Sequence, residues 1–402
     1  MSPLKKHIGV DVLVAAQQRI SHVFDKFERI YVSFSAGKDS TVMLHLVMAE
    51  AKRRKRRVGV LLVDLEAQYE LTITHALELF SIYADQIDPY WVCMPLSLRN
   101  AVSQFEPRWQ CWDPERVDAW VRHPPDVAIT DPVHFPFFHR GMEFEEFAPA
   151  FGQHYSKGHL TACFVGIRSD ESLNRFRTLM IDKARFENLD WTTWIDGPLY
   201  NAYPIYDWKT EDIWTFHART GLPYNRLYDR MHQAGLTIHQ MRICQPYGDD
   251  QRKGLWLYHL IEPHNWPKVV ARVNGANYGA LYARESGNIL GNRTVTKPAG
   301  HSWESYARFL LASMPPPLAD HYKAKIATFL DWYAKRGYPS GIPDECAPKE
   351  EAGRKVPSWR RVAKTLIKGD YWCKSLSFSQ TKSERYDAYL RVKKERKKKW
   401  AL

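Results

Sequence analysis

No stretch of this 402-residue sequence approaches the roughly 18 consecutive apolar residues of a membrane-spanning helix. The opening segment, MSPLKKHIGVDVLVAAQQRI, has a short apolar stretch but neither the core nor the cleavage site of a signal peptide. A soluble, cytoplasmic protein without a membrane partner is therefore expected. Cysteine is sparse: six residues, at positions 93, 111, 163, 244, 346 and 373, with no C-x-x-C pair among them. That spacing argues against a zinc ribbon and against a cysteine-ligated iron–sulfur cluster, and it suits a reducing compartment. His232, His239, His259 and His264 lie near one another without H-E-x-x-H or H-x(3)-H spacing, so no zinc site is expected there. Internal repeats are also absent.

Positive charge and aromatic rings are what the chain has in excess. The net charge is +12, and such a field attracts polyanions: nucleotides, nucleic acid or an acidic partner. Two runs carry much of it, Lys52-Arg53-Arg54-Lys55-Arg56-Arg57 and Lys393 through Lys399, the first well placed for a helix C-terminus. The 15 Trp, 21 Tyr and 18 Phe serve either core packing or stacking against a base. The length suits about two domains.

The apolar pattern reads as strand, loop, helix, strand in alternation. Residues 11–28 form an amphipathic helix pattern; Arg29–Phe34, Val58–Val63, Pro89–Met94 and Leu160–Ile167 read as buried strands, and Tyr200–Ile205 as a fifth. Helices are expected from Ser40 into the basic run, over 70–83 and over 209–220. Such alternation implies an α/β fold with a parallel sheet and helices on its faces. A Trp-, Pro- and Phe-rich insertion at about 95–158 interrupts it, with Trp109, Trp112 and Trp120 either packing or forming a lid. The expected division is a nucleotide-binding domain over 1–235 and a mainly helical extension over 236–402 with a basic tail.

The strongest local signal is strand, then Ser35-Ala36-Gly37-Lys38-Asp39-Ser40-Thr41, then helix. Small residues let backbone N–H groups and a helix N-terminus approach a phosphate, and Lys38 adds a point charge. The segment lacks the first glycine of a Walker A loop and the repeated glycines of a dinucleotide fingerprint. Asp39 is a candidate magnesium ligand or an orienting group for Lys38.

This loop resembles the S-G-G-K-D-S loop of the N-type ATP pyrophosphatases, the PP-loop superfamily, with Ala36 standing where that family has a second glycine. Gly166-Ile167-Arg168-Ser169-Asp170-Glu171-Ser172 resembles the G-x-R-x-D-E segment of its phosphoadenosine phosphosulfate (PAPS) reductase branch. Pro204 to Asp207-Trp208, Asp212-Ile213-Trp214 and Gly221-Leu222-Pro223-Tyr224-Asn225 to Leu227-Tyr228-Asp229 resemble further segments of that branch. Asp64-Leu65-Glu66-Ala67-Gln68-Tyr69 resembles the stretch beside the nucleoside. The resemblance covers about residues 15–232 and implies a Rossmann-like fold of the adenine nucleotide α-hydrolase type. The whole chain, through Arg242-Ile243-Cys244-Gln245-Pro246-Tyr247-Gly248-Asp249-Asp250, is similar to a subfamily resembling the immunoglobulin-binding regulator A, whose members often accompany a ParB/sulfiredoxin-like protein.

The resemblance implies ATP or PAPS as ligand, with magnesium, at Ser35, Ala36, Gly37, Lys38, Asp39, Ser40, Thr41, Asp64, Glu66, Gly166, Arg168 and Glu171. Lys38, Arg168 and Asp39 are the expected catalytic groups, and cleavage between the α- and β-phosphates with adenylylation of an acceptor is the expected reaction. A nucleotide-sensing regulator acting with nucleic acid or a ParB-like partner is the alternative. Reduction of a sulfonucleotide is a third reading. It would need a nucleophilic thiol, and the family's Glu-Cys-Gly-[IL]-His tail motif is missing; Cys373, beside Lys374, is the nearest candidate.

Overall fold

The computed structural model describes residues 9–378 apart from 104–105, 181–183, 249–254, 274, 277–296, 315, 348–349, 352–355, 368–369 and 371–372. The Asp249-Asp250 pair with Gln251 to Gly254, and the basic run at 393–399, lie outside the described residues. Two compact units emerge: Met1–Leu98 with Gln110–Val273, and Arg99–Trp109 with Asn274–Leu402. Residues 236–273, grouped from sequence with the extension, lie in the first unit.

The first unit is an α/β layer structure. Its sheet has six strands: β1 (Arg29–Ser33), β2 (Val58–Val63), β3 (Ile87–Val92), β4 (Thr161–Val165), β5 (Thr192–Asp196) and β6 (Leu199–Ala202). Their order is β3-β2-β1-β4-β6-β5, parallel except for the β5–β6 pair. Ile30, Tyr31 and Val32 of β1 are all buried, as are the first five residues of β2, because helices cover both faces of a central parallel strand. Pro89 sits in β3 at one sheet edge, where a missing N–H costs no ladder bond.

Helices α1 (Val12–Lys26), α2 (Lys38–Arg54), α3 (Glu70–Ile82), α4 (Phe144–Ser156), α5 (Leu173–Met180), α6 (Thr210–Thr220), α7 (Leu227–Gln233), α8 (Leu255–Ile261) and α9 (Trp266–Arg272) accompany this sheet. Asp11 caps α1 through Leu13 N at 2.8 Å, and Ala16, Ile20, Val23 and Phe24 form its buried stripe. The basic run does end α2, with Lys55 closing it in a left-handed conformation. The insertion contributes α4, whose Tyr155 hydroxyl bonds Ile30 O at 2.8 Å and Gly59 N at 3.1 Å. A Cβ at Gly59 would meet the Tyr155 ring at 2.8 Å, so only glycine lets the ring lie there.

The expected strands at 160–167 and 200–205 end earlier, at Val165 and Ala202, and two further features depart from the sequence expectation. The third strand runs Ile87–Val92, two residues earlier than expected. An unanticipated strand, β5, pairs antiparallel with β6 across Asp196-Gly197-Pro198, Gly197 taking φ +49°. An Asp-Gly pair between two β-rich segments is a hairpin signal.

In the second unit α10 (Trp303–Ala312), α11 (Pro316–Ala334) and α12 (Trp359–Ile367) share a core with Trp303, Tyr322, Phe329, Trp359, Val362, Leu366 and Cys373. No helix among the described residues is long and apolar enough to cross a membrane.

Three histidines are buried where α2, α3 and α6 meet. His45 bonds Tyr83 Oη through Nδ1 at 2.6 Å and Pro223 O through Nε2 at 2.8 Å; His75 Nε2 lies 3.1 Å from Thr41 Oγ1. Burial pushes all three imidazoles down, His75 to about 3 and His217 to about 4, with repulsion from neighbouring imidazoles adding to it for His75 and His217. A pKa depressed in the folded state leaves the unfolded chain holding the extra proton. The stabilisation is therefore complete above about pH 6.5 and is lost as pH falls toward the folded values. Denaturant titrations between pH 6 and 4 should show stability falling with acid, and the slope should be shallower in His75→Gln by about 1 kcal/mol per pH unit. Equal slopes would contradict the assignment of a buried neutral His75.

Candidate functional site

The strand order reverses between β1 and β4, so the segments after these two strands diverge from one crevice at the carboxyl ends of parallel strands. Open α/β sheets bind ligands at such switch points. Ser33 at the end of β1 pairs with Val165 at the end of β4. Just beyond these paired ends lie Ser35–Thr41 and Gly166–Ser172, the two segments whose sequences point to phosphate.

The first segment turns sharply into α2. Ala36 takes φ +55°, a left-handed conformation that costs a residue with a Cβ of order 1 kcal/mol. Gly37 is extended and precedes the first helical residue, Lys38. Ser35 and Ser40 face each other, Oγ to Oγ at 3.0 Å, and Ser40 Oγ also donates to Gly37 O at 3.1 Å. Asn225 holds the strained residue from behind: its Nδ2 donates to Ala36 O at 3.0 Å and to Thr72 Oγ1 at 3.1 Å. Tyr228 Oη accepts the Lys38 N–H at 2.9 Å.

The charges of the site converge on Asp39. Its Oδ2 pairs with Lys38 Nζ at 3.2 Å, and its Oδ1 accepts from Arg168 Nε. Lys38 and Arg168 are 6% and 1% exposed, so this carboxylate is what makes two buried cations tolerable. The trio still carries one net positive charge. Among the described residues, Arg168 Nη1 is buried without any hydrogen-bond partner. An unsatisfied guanidinium nitrogen costs free energy unless a ligand oxygen reaches it. Gly166 makes the approach possible, since a Cβ there would lie 3.0 Å from Ser40 N and 3.1 Å from Ser40 Cα.

The other expected site residues divide into two groups. Glu171 stays near the mouth: its carbonyl accepts from Arg242 Nη2 at 2.6 Å and its carboxylate faces Arg175 at 3.7 Å. Asp64 and Glu66, in contrast, are not brought to the loop as free carboxylates. Asp64 is fully buried and accepts from Trp91 Nε1 at 2.9 Å, from Glu66 N at 3.0 Å and from Arg122. Glu66 forms a bidentate pair with Arg272 at 2.7 and 3.0 Å and accepts from Trp112 N and Val121 N. Their carboxylates fasten the insertion to the end of β2. Thr41 is likewise turned to α3 through His75. Trp112 is 3% exposed, with its Nε1 bonded to Asp64 O at 2.7 Å and Trp120 edge-on at 5.3 Å, which is a packing arrangement.

As a magnesium ligand Asp39 is poorly placed, because both of its oxygens are paired with cations. No group of three or more His, Cys, Asp or Glu that could hold a metal occurs among the described residues. Cys373 does not fit a nucleophile: it is wholly buried in the second unit's core, and burial pushes its thiol up to about 12. Cys163 lies in β4 with its thiol also raised to about 12 by burial.

From sequence, Asn225 and Tyr228 stand within motifs without an assigned role, and no role at the loop is expected of Met241 or Arg242. Met241 O nevertheless accepts from Lys38 Nζ at 3.4 Å, and Arg242 reaches Glu171. The signal available was the adjacency of Asn225 and Tyr228 in one short motif. The spatial return of 241–242 had none.

A family model described as the phosphoadenosine phosphosulfate reductase domain matches residues 29–234, and a domain of unknown function, DUF3440, matches 235–345. An uncharacterized protein of Escherichia coli K12, YbdN, is 43% identical over 406 aligned residues, covering 100% of this chain and 99% of that protein. Adenosine 5'-phosphosulfate reductase 2 of Bacillus subtilis is 29% identical over 97 residues, 24% of this chain and 36% of that protein. Among solved structures, the FMN adenylyltransferase of Candida glabrata aligns with a TM-score of 0.33 at 16% identity, over 54% of this chain and 57% of that one.

The Ala36–Asn225 contact makes a double-mutant prediction. Asn225→Ala leaves Ala36 O and Thr72 Oγ1 without this donor, and should destabilise the protein by about 1–3 kcal/mol in urea titrations. Ala36→Gly removes the left-handed strain, so the same asparagine substitution should cost measurably less in that background. Strict additivity would show that Asn225 does not restrain the strained residue.

Proposed function

Because the chain belongs to the phosphoadenosine phosphosulfate reductase domain family, we propose that its Ser35–Ser40 loop binds the phosphates of an adenine nucleotide and that the nucleotide is ATP. The observation that carries this reading is Arg168, buried to 1% exposure with Nη1 unsatisfied beside the N-terminus of a 17-residue helix. A helix N-terminus, a buried lysine and an unfilled guanidinium donor together suit a multiply charged phosphate chain.

The reaction we propose is displacement at the α-phosphorus. An acceptor nucleophile forms a bond to that phosphorus, the bond to the bridging oxygen breaks, and pyrophosphate leaves with the electron pair. Lys38 and Arg168 stabilise the charge that develops on the departing oxygens. Asp39 holds both cations in register before the ligand arrives. Magnesium, when bound, would neutralise phosphate charge. It would have to be held chiefly by the phosphates, since Asp39 is already paired.

Charge distribution supports a polyanionic acceptor. Residues 99–109 and 274–402 contain 27 Lys and Arg against 13 Asp and Glu, leaving 30 against 32 in the rest of the chain. The whole excess thus belongs to the second unit, to which a nucleic-acid acceptor would be drawn. A nucleotide sensor without turnover, working with nucleic acid or a ParB-like protein, is the second reading. Ala36 in the left-handed region favours it, because a strained loop weakens a phosphate cradle. Sulfonucleotide reduction through Cys373 is disfavoured by that thiol's burial.

Pyrophosphate release from ATP, measured with magnesium and with added nucleic acid, tests the enzyme reading. Wild type should release it, and Lys38→Ala should lower the rate about 100-fold or more. Nucleotide binding without release under every condition would favour the sensor.

A further inference from the structure

Resting on the nucleotide reading above, we infer that Tyr228 is a further ligand-contacting donor of the phosphate site, one that carries the first amide of α2 outward to the anion. The phenol is 3% exposed, and its hydroxyl accepts the Lys38 N–H at 2.9 Å. A Cβ built on Gly37 would lie 3.5 Å from that hydroxyl, so Oη sits directly beside the residue that precedes α2. The Lys38 ammonium lies 5.6 Å from the centre of the same ring.

The hydroxyl has one proton to give, and among the described residues none accepts it. Burial, with Asp39 close by, pushes the phenol well above its ordinary range, so it remains a neutral donor at every working pH. A donor buried without an acceptor is costly by itself. Here it lies beside Lys38, whose Asp39 partner also holds Arg168, and Arg168 Nη1 is itself a buried donor without a partner among the described residues. Two unfilled donors and a lysine ammonium around one helix N-terminus describe a site for an oxyanion with several acceptor lone pairs and no proton of its own. A phosphoryl or pyrophosphate group is that chemistry.

The arrangement is a relay. The amide at the helix N-terminus, which carries part of the helix's positive end, donates to the phenol oxygen and polarises it. The phenol in turn donates to the ligand. Each bond strengthens the other, and the positive end of α2 is extended by the length of one hydroxyl group. Trp214 packs edge-on against the Tyr228 ring at 5.4 Å and against Tyr224 at 5.5 Å, which fixes where the hydroxyl points. The Asp212-Ile213-Trp214 and Leu222 to Tyr228 segments therefore act on the loop through one aromatic wall.

The test is calorimetric titration of the full chain with inorganic pyrophosphate, with Mg-ATP and with adenosine, in wild type and Tyr228→Phe. The variant should bind pyrophosphate and Mg-ATP roughly ten- to a hundred-fold more weakly, the loss of one hydrogen bond to a charged acceptor, while adenosine affinity stays the same. A purely packing role would lower the melting temperature and leave pyrophosphate affinity unchanged, which would overturn the inference. Should Tyr228→Phe fail to fold, 3-fluorotyrosine at position 228 retains the hydroxyl. Its fluorine resonance should then shift with pyrophosphate, and no shift at saturation would be equally fatal. If wild type binds neither pyrophosphate nor Mg-ATP, the nucleotide reading itself fails; equal binding by wild type and variant removes Tyr228 alone.

Discussion

One carboxylate set between two cations joins the two sides of the crevice. Asp39 reaches Lys38 on its own helix and Arg168 from the turn after β4, across the point where the sheet reverses. Without it, two positive charges would be buried side by side, which burial would oppose strongly. With it, the site is assembled before a ligand arrives and still keeps one positive charge and an unfilled guanidinium nitrogen. Gly166 is the steric half of the same constraint, since any larger residue would push the β4 turn off the loop backbone.

Around that pair the remaining motifs do two kinds of work. Asn225 and Tyr228 grip the loop at Ala36 and Lys38. Asp207 and Trp208 instead anchor α1: Asp207 pairs with Arg19 at 2.7 Å, and Trp208 Nε1 donates to Val12 O at 3.0 Å. Asp64 and Glu66 hold the insertion through Trp91, Trp112 and Arg272. A motif residue at a strand end can thus serve the site without pointing into it.

The division explains what the sequence disclosed. Strand-loop-helix alternation and the small, charged loop were legible because they follow from local periodicity and from the residues a phosphate requires. So was the pairing of Lys38 with Asp39, neighbours in sequence. The left-handed Ala36 was legible as a question, because glycine is what such a position ordinarily needs. What the local sequence does not carry depends on distant contacts. Read locally, Glu66 and Asp64 are open carboxylates, but Arg272 and Arg122, 206 and 58 residues away, occupy them. The return of Met241 and Arg242 to the loop is likewise set by how the chain packs after α7. The hairpin of β5 and β6 is the exception, since the Asp196-Gly197 turn signal is local.

The central claim is that phosphate binds between the loop after β1 and the turn after β4. Hydrogen–deuterium exchange of peptides spanning 35–41 and 166–172, with and without saturating ATP, tests it most directly. The account predicts that both peptides gain protection together, and that Arg168→Leu weakens the effect in both. Nucleotide that binds while leaving these peptides unchanged, or that protects only a different region, would contradict it.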